Sequence, residues 1–85
     1  MDFDIEQLKK KIIYRSNYRG TKEMDILLSK FVDKYINKLS SQQLNDLYEF
    51  LNLEDEIIYN SYQKKMMPNT MKKKDIHEYF LNFKI

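Results

Sequence analysis

Two arginines and one glycine lie within six residues near the start of the chain, and 85 residues contain no others. The guanidinium of Arg19 is a planar fork that suits a carboxylate or a phosphate, which a Lys ammonium does not match. Gly20 has no side chain, so another surface can approach the backbone closely there. Glu23 follows Arg19 by four positions, which would place both residues on one helix face. The segment 19–23 therefore predicts a docking surface.

The same residues also fit a plain structural interpretation. Arg19 and Glu23 can form an exposed pair that contributes only about 0.3–0.5 kcal/mol, and Gly20 can be a hinge between two helices. A glutamate near a helix N-terminus is favoured by the helix dipole in any case. The joint occurrence of Arg, Gly and Glu favours the docking interpretation. Three neighbours are expected to extend the contact: Arg15, Tyr18 and Asp25.

Other reactive groups are scarce in this sequence. The absence of Cys excludes disulfides, thiolate metal sites and thiol catalysis. His77 is the only histidine, and we interpret it as a surface or half-buried structural residue because no second ligand accompanies it. Glu54, Asp55 and Glu56 are most simply the solvated start of a helix, not a catalytic carboxylate pair. The sequence thus predicts no catalytic residue, no metal site and no cofactor site.

The composition indicates one small helical domain. At 85 residues the core is small. One Gly and one Pro are far below the average usage of roughly 7% and 5%, and this shortage of turn residues favours helices over sheets. The net charge of +2 is small, and the 15 basic and 13 acidic residues are mostly interspersed.

The ends and the hydropathy of the chain bear on its location. Residues 1–6 are acidic and resemble neither a signal peptide nor an Arg-rich transit peptide. No apolar run approaches the roughly 20 residues of a membrane span. We therefore expect a cytoplasmic protein that does not bind membranes.

Hydrophobic spacing predicts three helices in the first two thirds of the chain. Asp4 caps the first helix, with Gln7 three positions on, and this helix should fray near Ser16. The second helix begins around Gly20 and has an apolar stripe at Met24, Leu27, Leu28, Phe31, Val32, Tyr35, Ile36 and Leu39. Ser40 and Gln43 predict a capping box for the third helix. The inner face of that helix is expected at Leu44, Leu47, Tyr48 and Leu51.

Two further helices are predicted after the acidic break at residues 54–56. The fourth ends with Lys64 and Lys65, matching the helix dipole, and Pro68 stops it. Its apolar residues are Ile57, Ile58, Tyr59 and Tyr62. The last helix, from about residue 70, has Ile76, Tyr79, Phe80 and Phe83 at helical spacing. Because three lysines at 72–74 are unfavourable in a first turn, we expect this helix to start late or to dock loosely. The prediction is an all-α fold, a compact bundle of about five helices forming one domain over residues 1–85.

The segment Arg19-Gly20-Thr21-Lys22-Glu23 resembles the Arg-Gly-x-x-Glu hallmark of the SdhE family. Its flanks are similar to family sequence as well, and so are the third helix and the acidic break, so the likeness covers about residues 11–68. The resemblance implies a five-helix bundle. It also implies an assembly factor that binds the flavoprotein subunit of succinate dehydrogenase and promotes covalent attachment of FAD, with the flavoprotein subunit of fumarate reductase as a further candidate client.

Under this resemblance the chain is not an enzyme, and FAD belongs to the client. We expect Arg19 to pair with a client carboxylate or main-chain oxygen, and Glu23 to accept hydrogen bonds from client donors. Gly20 would permit close backbone approach. The free protein is expected to be a monomer without a nucleic-acid partner.

Two departures and two alternatives accompany this interpretation. Relatives usually have Trp where this chain has Asn60, and we expect Tyr59 or Tyr62 to take over its packing. Thr21 replaces a residue that is commonly Met.

One alternative is a small basic helical module that binds nucleic acid through the lysines at 9–11 and 72–74, or a regulatory protein-interaction domain. It predicts binding that weakens steeply with salt and is indifferent to Glu23. The other is a generic helical oligomerisation module.

Overall fold

Five α-helices follow one another along the chain in the computed structural model. They are α1 (Ile5–Asn17), α2 (Lys22–Tyr35), α3 (Ser41–Leu51), α4 (Asp55–Lys64) and α5 (Asp75–Leu81). The structure describes residues 4–68 and 72–84, and these ranges contain no β-strand. The predicted all-α bundle of five helices is confirmed. Residues 1–3 of the acidic N-terminal stretch, Asn69, and residues 70 and 71 of the predicted last helix lie outside the described residues.

Side-chain caps set the starts of the first three helices. The Asp4 carboxylate accepts hydrogen bonds from the backbone N–H groups of residues 6 and 7, at 3.1 and 3.3 Å. Thr21 Oγ1 accepts from the N–H of Met24 at 3.2 Å, so α2 begins just after Gly20. The predicted capping box of α3 is confirmed, because Ser40 Oγ accepts from the Gln43 N–H at 3.2 Å and Gln43 Oε1 accepts from the Ser40 N–H at 2.9 Å. Each cap satisfies backbone donors that the helix itself leaves unpaired.

The hydrophobic core is built around the ring of Phe31 on α2. This ring lies 5.2 Å from the Phe80 ring and 5.3 Å from the Phe83 ring, both edge-on, which is a favoured arrangement of aromatic pairs. Helix α1 packs along α2 and α3, while α5 packs on α3 and α4. Other fully buried apolar side chains are Ile12, Leu28, Leu44, Leu47, Phe50, Leu51, Ile58 and Ile76.

The last helix starts late, as expected, because the three lysines precede it and Asp75 and Glu78 occupy its first turn. Its buried side chains are Ile76, His77, Phe80 and Leu81. Two hydrogen bonds join α4 and its C-terminal cap to the end of this segment. The Tyr62 hydroxyl donates to the Phe83 carbonyl at 2.6 Å, and the Lys65 ammonium donates to the Leu81 carbonyl at 2.6 Å. This burial and bonding do not support the expectation of loose docking.

The end of α2 and the faces of α4 differ from the sequence prediction. Helix α2 ends at Tyr35 with Ile36 as its C-cap, although the apolar pattern continues to Leu39. Ile36 is buried, and its N–H still donates to the Val32 carbonyl at 2.7 Å, so the helical geometry stops only beyond it. On α4, Tyr59 is 38% exposed, and the buried side chains are Ile58 and Ser61. The Ser61 hydroxyl can be buried because it donates to the Ile57 carbonyl at 2.8 Å.

His77 is buried, so its expected surface or half-buried position is wrong. Its Nδ1 accepts a hydrogen bond from the Lys74 N–H at 2.9 Å, and its ring lies 5.2 Å from the Phe50 ring. Burial lowers the pKa of the imidazole below its usual 6.5, nearby Asp46 opposes that shift, and Lys74 adds to it. The residue is therefore a neutral component of the core between α3 and α5.

Candidate functional site

Arg19 lies in the short connection between α1 and α2, and its guanidinium is turned into the protein. Only 7% of its side chain is exposed. Its Nε lies 2.7 Å and its Nη2 2.6 Å from Oδ1 of Asp55, the first residue of α4. The remaining donors reach three main-chain carbonyls, those of Leu51 at 2.8 Å, Leu53 at 3.1 Å and Arg15 at 3.2 Å. These bonds occupy the fork, so Arg19 ties the connection to the α3–α4 junction.

This geometry corrects two expectations about Arg19. It does not share a helix face with Glu23, because α2 begins only at Lys22 and the arginine points towards α4. Nor is its guanidinium a free fork for a partner's carboxylate, since an internal carboxylate holds it. The backbone N–H of Arg19 is also occupied, donating to Asp25 Oδ1 at 2.6 Å. Asp25 therefore holds the same connection from the α2 side.

Gly20 is exposed, and its backbone N–H donates to Asp55 Oδ2 at 2.6 Å. Its φ is not positive, so conformational freedom does not explain the glycine. A Cβ atom at this position would lie 3.0 Å from the same Oδ2. The close approach that Gly20 permits is therefore made by Asp55 of the chain itself.

Glu23 is the acidic residue of the segment, and its side chain faces solvent. It lies in the first turn of α2, where the helix dipole favours a negative charge. Across residues 4–68 and 72–84, its carboxylate has neither a hydrogen bond nor an ion pair within the chain. A partner can therefore reach it without breaking an internal contact.

An open groove of about 540 Å³ lies between the first turns of α2 and α4. It is lined by Gly20, Thr21, Glu23, Met24, Asp55, Glu56 and Tyr59. Acidic groups and one tyrosine ring thus surround a small apolar surface. Sequence reasoning found the α2 wall of this groove and missed the α4 wall. The available signal was the acidic run at residues 54–56, which we interpreted as solvated although it supplies the partner of Arg19.

Tyr18 and Arg15 lie on a neighbouring surface at the end of α1 and do not line the groove. Tyr18 is 72% exposed, and its ring centroid lies 4.6 Å from that of Tyr14, which is 64% exposed. The Arg15 guanidinium lies over the Tyr48 ring, at 5.8 Å from its centroid. The six predicted site residues therefore divide into an internal pair, a groove pair and an aromatic surface beside them.

Asn60, the position at which the resemblance implies a Trp, is exposed on α4. It borders a shallow hollow with Ile57, Lys64 and Met66. The ring of Tyr62, not Asn60, fills the space against Phe80, at 5.2 Å between centroids. The core described here is therefore packed without a Trp.

The described ranges contain neither a candidate metal site nor a candidate membrane-spanning helix. No group of three or more His, Cys, Asp or Glu side chains there is placed to hold a metal ion. Over the same residues, none of the helices has both the length and the apolar character needed to cross a membrane.

Comparisons with known proteins identify relatives of the chain. The model of the family described as "Flavinator of succinate dehydrogenase" matches residues 10–84. The chain is 42% identical over 62 residues to "Succinate dehydrogenase assembly factor 2, mitochondrial" of Dictyostelium discoideum, a match covering 73% of this chain and 44% of that protein. The protein of the same name from Meyerozyma guilliermondii is 33% identical over 75 residues, covering 84% and 56%. No solved structure gives a significant match.

The chain thus spans only about half the length of these two relatives. Both are named as mitochondrial proteins, and this contradicts the expectation of a cytoplasmic protein. That expectation was based on the acidic N-terminal residues and on hydropathy, neither of which identifies a compartment. The SdhE resemblance is confirmed, since the family match extends over nearly the whole chain. The chain belongs to this family, described as the flavinator of succinate dehydrogenase.

Proposed function

We propose that this chain is an assembly factor that binds the flavoprotein subunit of succinate dehydrogenase and promotes covalent attachment of FAD to it. The family description and the names of the relatives support this function. The observation that carries the proposal within the molecule is Glu23, an exposed carboxylate at the edge of a groove that has no partner among the residues the structure describes. Its neighbours in the connection are held rigidly by Asp25 and Asp55.

The proposed mechanism is selective binding of one client conformation. The groove offers carboxylates, a tyrosine ring and main-chain groups, and these can bind and orient a partner. By binding one arrangement of the client more tightly, the factor would raise the population in which the client's own groups and FAD are correctly placed. The chain is then not an enzyme, and FAD stays with the client and is not bound stably here.

The structure suggests different roles for the six predicted residues. Glu23 accepts hydrogen bonds from client donors, and Gly20 contributes to the groove surface. Arg19 and Asp25 act indirectly, by fixing the connection between α1 and α2. Tyr18 and Arg15 extend the contact along the end of α1.

The nucleic-acid alternative finds little support in the arrangement of the lysines. Lys9 donates to Asn37 Oδ1 at 3.2 Å. Lys73 lies 2.6 Å from a Glu78 carboxylate oxygen, and Lys74 lies 3.2 Å from Asp46. The two lysine runs lie on α1 and before α5, and internal carboxylates neutralise part of the second run. They therefore lack the character of a continuous basic surface.

The proposed function is tested by mixing the purified chain with apo flavoprotein subunit and FAD. Covalent flavin is then read as fluorescence in a denaturing gel, and binding is measured by titration calorimetry. We expect one chain to bind one client subunit and to accelerate flavin attachment. A folded chain that neither binds a competent client nor accelerates attachment would contradict the proposal. Running the flavoprotein subunit of fumarate reductase in parallel shows whether it is a second client.

A further inference from the structure

We infer that Asp55 is a positioning residue for client docking, which holds the connection before α2 against the start of α4 and so sets the shape of the groove. The inference rests on the proposed function for its client. Its structural part, the coupling between Asp55 and the glycine of the motif, concerns the free protein alone.

Both oxygens of the Asp55 carboxylate are used by the connection. Oδ1 accepts a hydrogen bond from Arg19 Nε at 2.7 Å and forms an ion pair with Nη2 at 2.6 Å, and Oδ2 accepts a hydrogen bond from the N–H of Gly20 at 2.6 Å. Only 25% of the side chain is exposed. Charge-assisted hydrogen bonds of this length are stronger than neutral ones and fix the orientation of both partners. The carboxylate is therefore a clamp, held by two hydrogen-bond donors and one ion-pair contact in defined positions.

The clamp joins two helices that otherwise have little contact. Extensive packing in the described chain links α1 with α2 and α3, and α5 with α3 and α4, but does not link α2 with α4. The groove walls belong to that unlinked pair, with Glu23 on α2 and Tyr59 on α4. The separation of these two side chains thus depends on the polar bridge through Asp55. A client that contacts both walls would require the bridge to be intact.

The clamp also explains why residue 20 is glycine. A Cβ atom there would lie 3.0 Å from Oδ2, so this oxygen would have to move away and lengthen its 2.6 Å bond to the Gly20 N–H. Because φ is not positive, the backbone itself tolerates alanine. Alanine at such a compatible position normally stabilises a protein by restricting the unfolded chain. The carboxylate of Asp55 should therefore reverse the sign of the Gly20→Ala effect.

A double-mutant cycle with Gly20→Ala, Asp55→Ala and the double variant tests this inference on the free protein by urea unfolding. We expect Gly20→Ala to destabilise the wild-type background and to be neutral or stabilising when Asp55 is alanine. Equal effects in the two backgrounds would overturn the coupling. If Asp55→Ala does not fold, Asp55→Ser replaces it, since it also removes both carboxylate oxygens.

The same four proteins are then titrated with apo flavoprotein subunit well below their unfolding midpoints. We expect Asp55→Ala to weaken binding on the order of tenfold, within the range seen for coupled residues. Gly20→Ala should weaken binding in the wild-type background and add little to Asp55→Ala. If Gly20→Ala weakened binding equally in both backgrounds, the glycine would be meeting the client itself, and the inference would be wrong.

Ile76→Val serves as the matched control, because it removes one buried methyl group from α5, which contributes no residue to the groove. It should lower the unfolding midpoint and leave client affinity unchanged. A loss of affinity equal to that of Asp55→Ala would show that general destabilisation, not positioning, explains the result. If the wild-type chain fails to bind the client, the proposed function is rejected. The unfolding cycle would still test whether Asp55 and Gly20 are coupled in the free protein.

Discussion

The guanidinium of Arg19 and the carboxylate of Asp55 lie 2.6 Å apart, although 36 positions separate them in the chain. The contact places the most distinctive arginine of the sequence inside the protein. It leaves Glu23 and Lys22 as the members of the segment 19–23 whose charged groups a partner can reach. The segment therefore combines an internal anchor with an external contact.

Replacing Arg19 by lysine is expected to destabilise the fold by about 2–3 kcal/mol. One ammonium cannot reach Asp55 and the carbonyls of Leu51 and Leu53 together, so buried acceptors lose their partner. Urea unfolding at neutral pH would show a lower midpoint with an unchanged slope. Arg15→Lys, at an exposed position, is the control and should change stability by less than about 0.5 kcal/mol. Equal midpoints for both variants would contradict the internal role of Arg19.

His77 should make the fold less stable in mild acid. Its pKa is lowered in the folded state, mainly by burial, so between the folded value and the usual 6.5 the unfolded chain binds more protons than the folded one. Stability is therefore full above about pH 6.5 and falls as the pH drops from there towards the folded pKa. The slope is at most about 1.4 kcal/mol per pH unit for one group.

Urea midpoints measured at several values between pH 7.5 and 5 test this dependence in wild type and His77→Phe. The variant should lose the slope in this window. The pKa of Glu78 is also lowered, by its hydrogen bonds to Lys73 and Asn82, but its contribution is lost only as the pH falls below its usual 4.5. An unchanged slope in His77→Phe would assign the dependence to other groups.

Removing the Tyr62 hydroxyl should loosen the C-terminal segment. Tyr62→Phe keeps the ring against Phe80 and deletes the 2.6 Å bond to the Phe83 carbonyl, at a cost of about 1 kcal/mol. Tyr79→Phe, at a position 39% exposed, is the matched control. Amide exchange at residues 80–83 should quicken in the first variant and not in the second. The same exchange in both would mean that this bond does not hold the segment.

Tyr18 is expected to contribute to client binding without contributing to stability. Its ring is largely exposed and contacts the Tyr14 ring on the surface of α1. Tyrosine is enriched among the minority of interface residues whose truncation costs more than about 1 kcal/mol of binding. Tyr18→Ser should therefore weaken affinity for the apo flavoprotein subunit and leave the unfolding midpoint unchanged. If the serine variant kept wild-type affinity, the end of α1 would not be part of the contact with the client.

Features determined by neighbouring residues could be predicted from the sequence. The capping box of Ser40 and Gln43 forms within one turn, so the two residue types and their spacing predict it. The late start of α5 follows from the lysines that precede it. The continuous apolar stripe of α2 predicted its core residues, including Phe31, but extended past its end, because Leu39 packs against the core from beyond the helix.

Contacts between distant positions could not be predicted in this way. Nothing near Asp55 in the sequence distinguishes it from Glu54 and Glu56, yet it alone of the three receives the guanidinium of Arg19. The buried position of His77 depends on how α5 meets α3, which one helix pattern does not specify. The site prediction therefore named a segment that borders the groove and assigned its arginine to the wrong side of the surface.

A direct contact between Glu23 and the client can be tested by comparing three proteins. Initial rates of covalent flavin attachment are measured with wild type, Glu23→Gln and Glu49→Gln. Glu49 is an exposed glutamate on α3 outside the groove. We expect Glu23→Gln to fold normally yet to lose about tenfold or more of the acceleration, while Glu49→Gln keeps it. Full acceleration by a folded Glu23→Gln variant would contradict that contact.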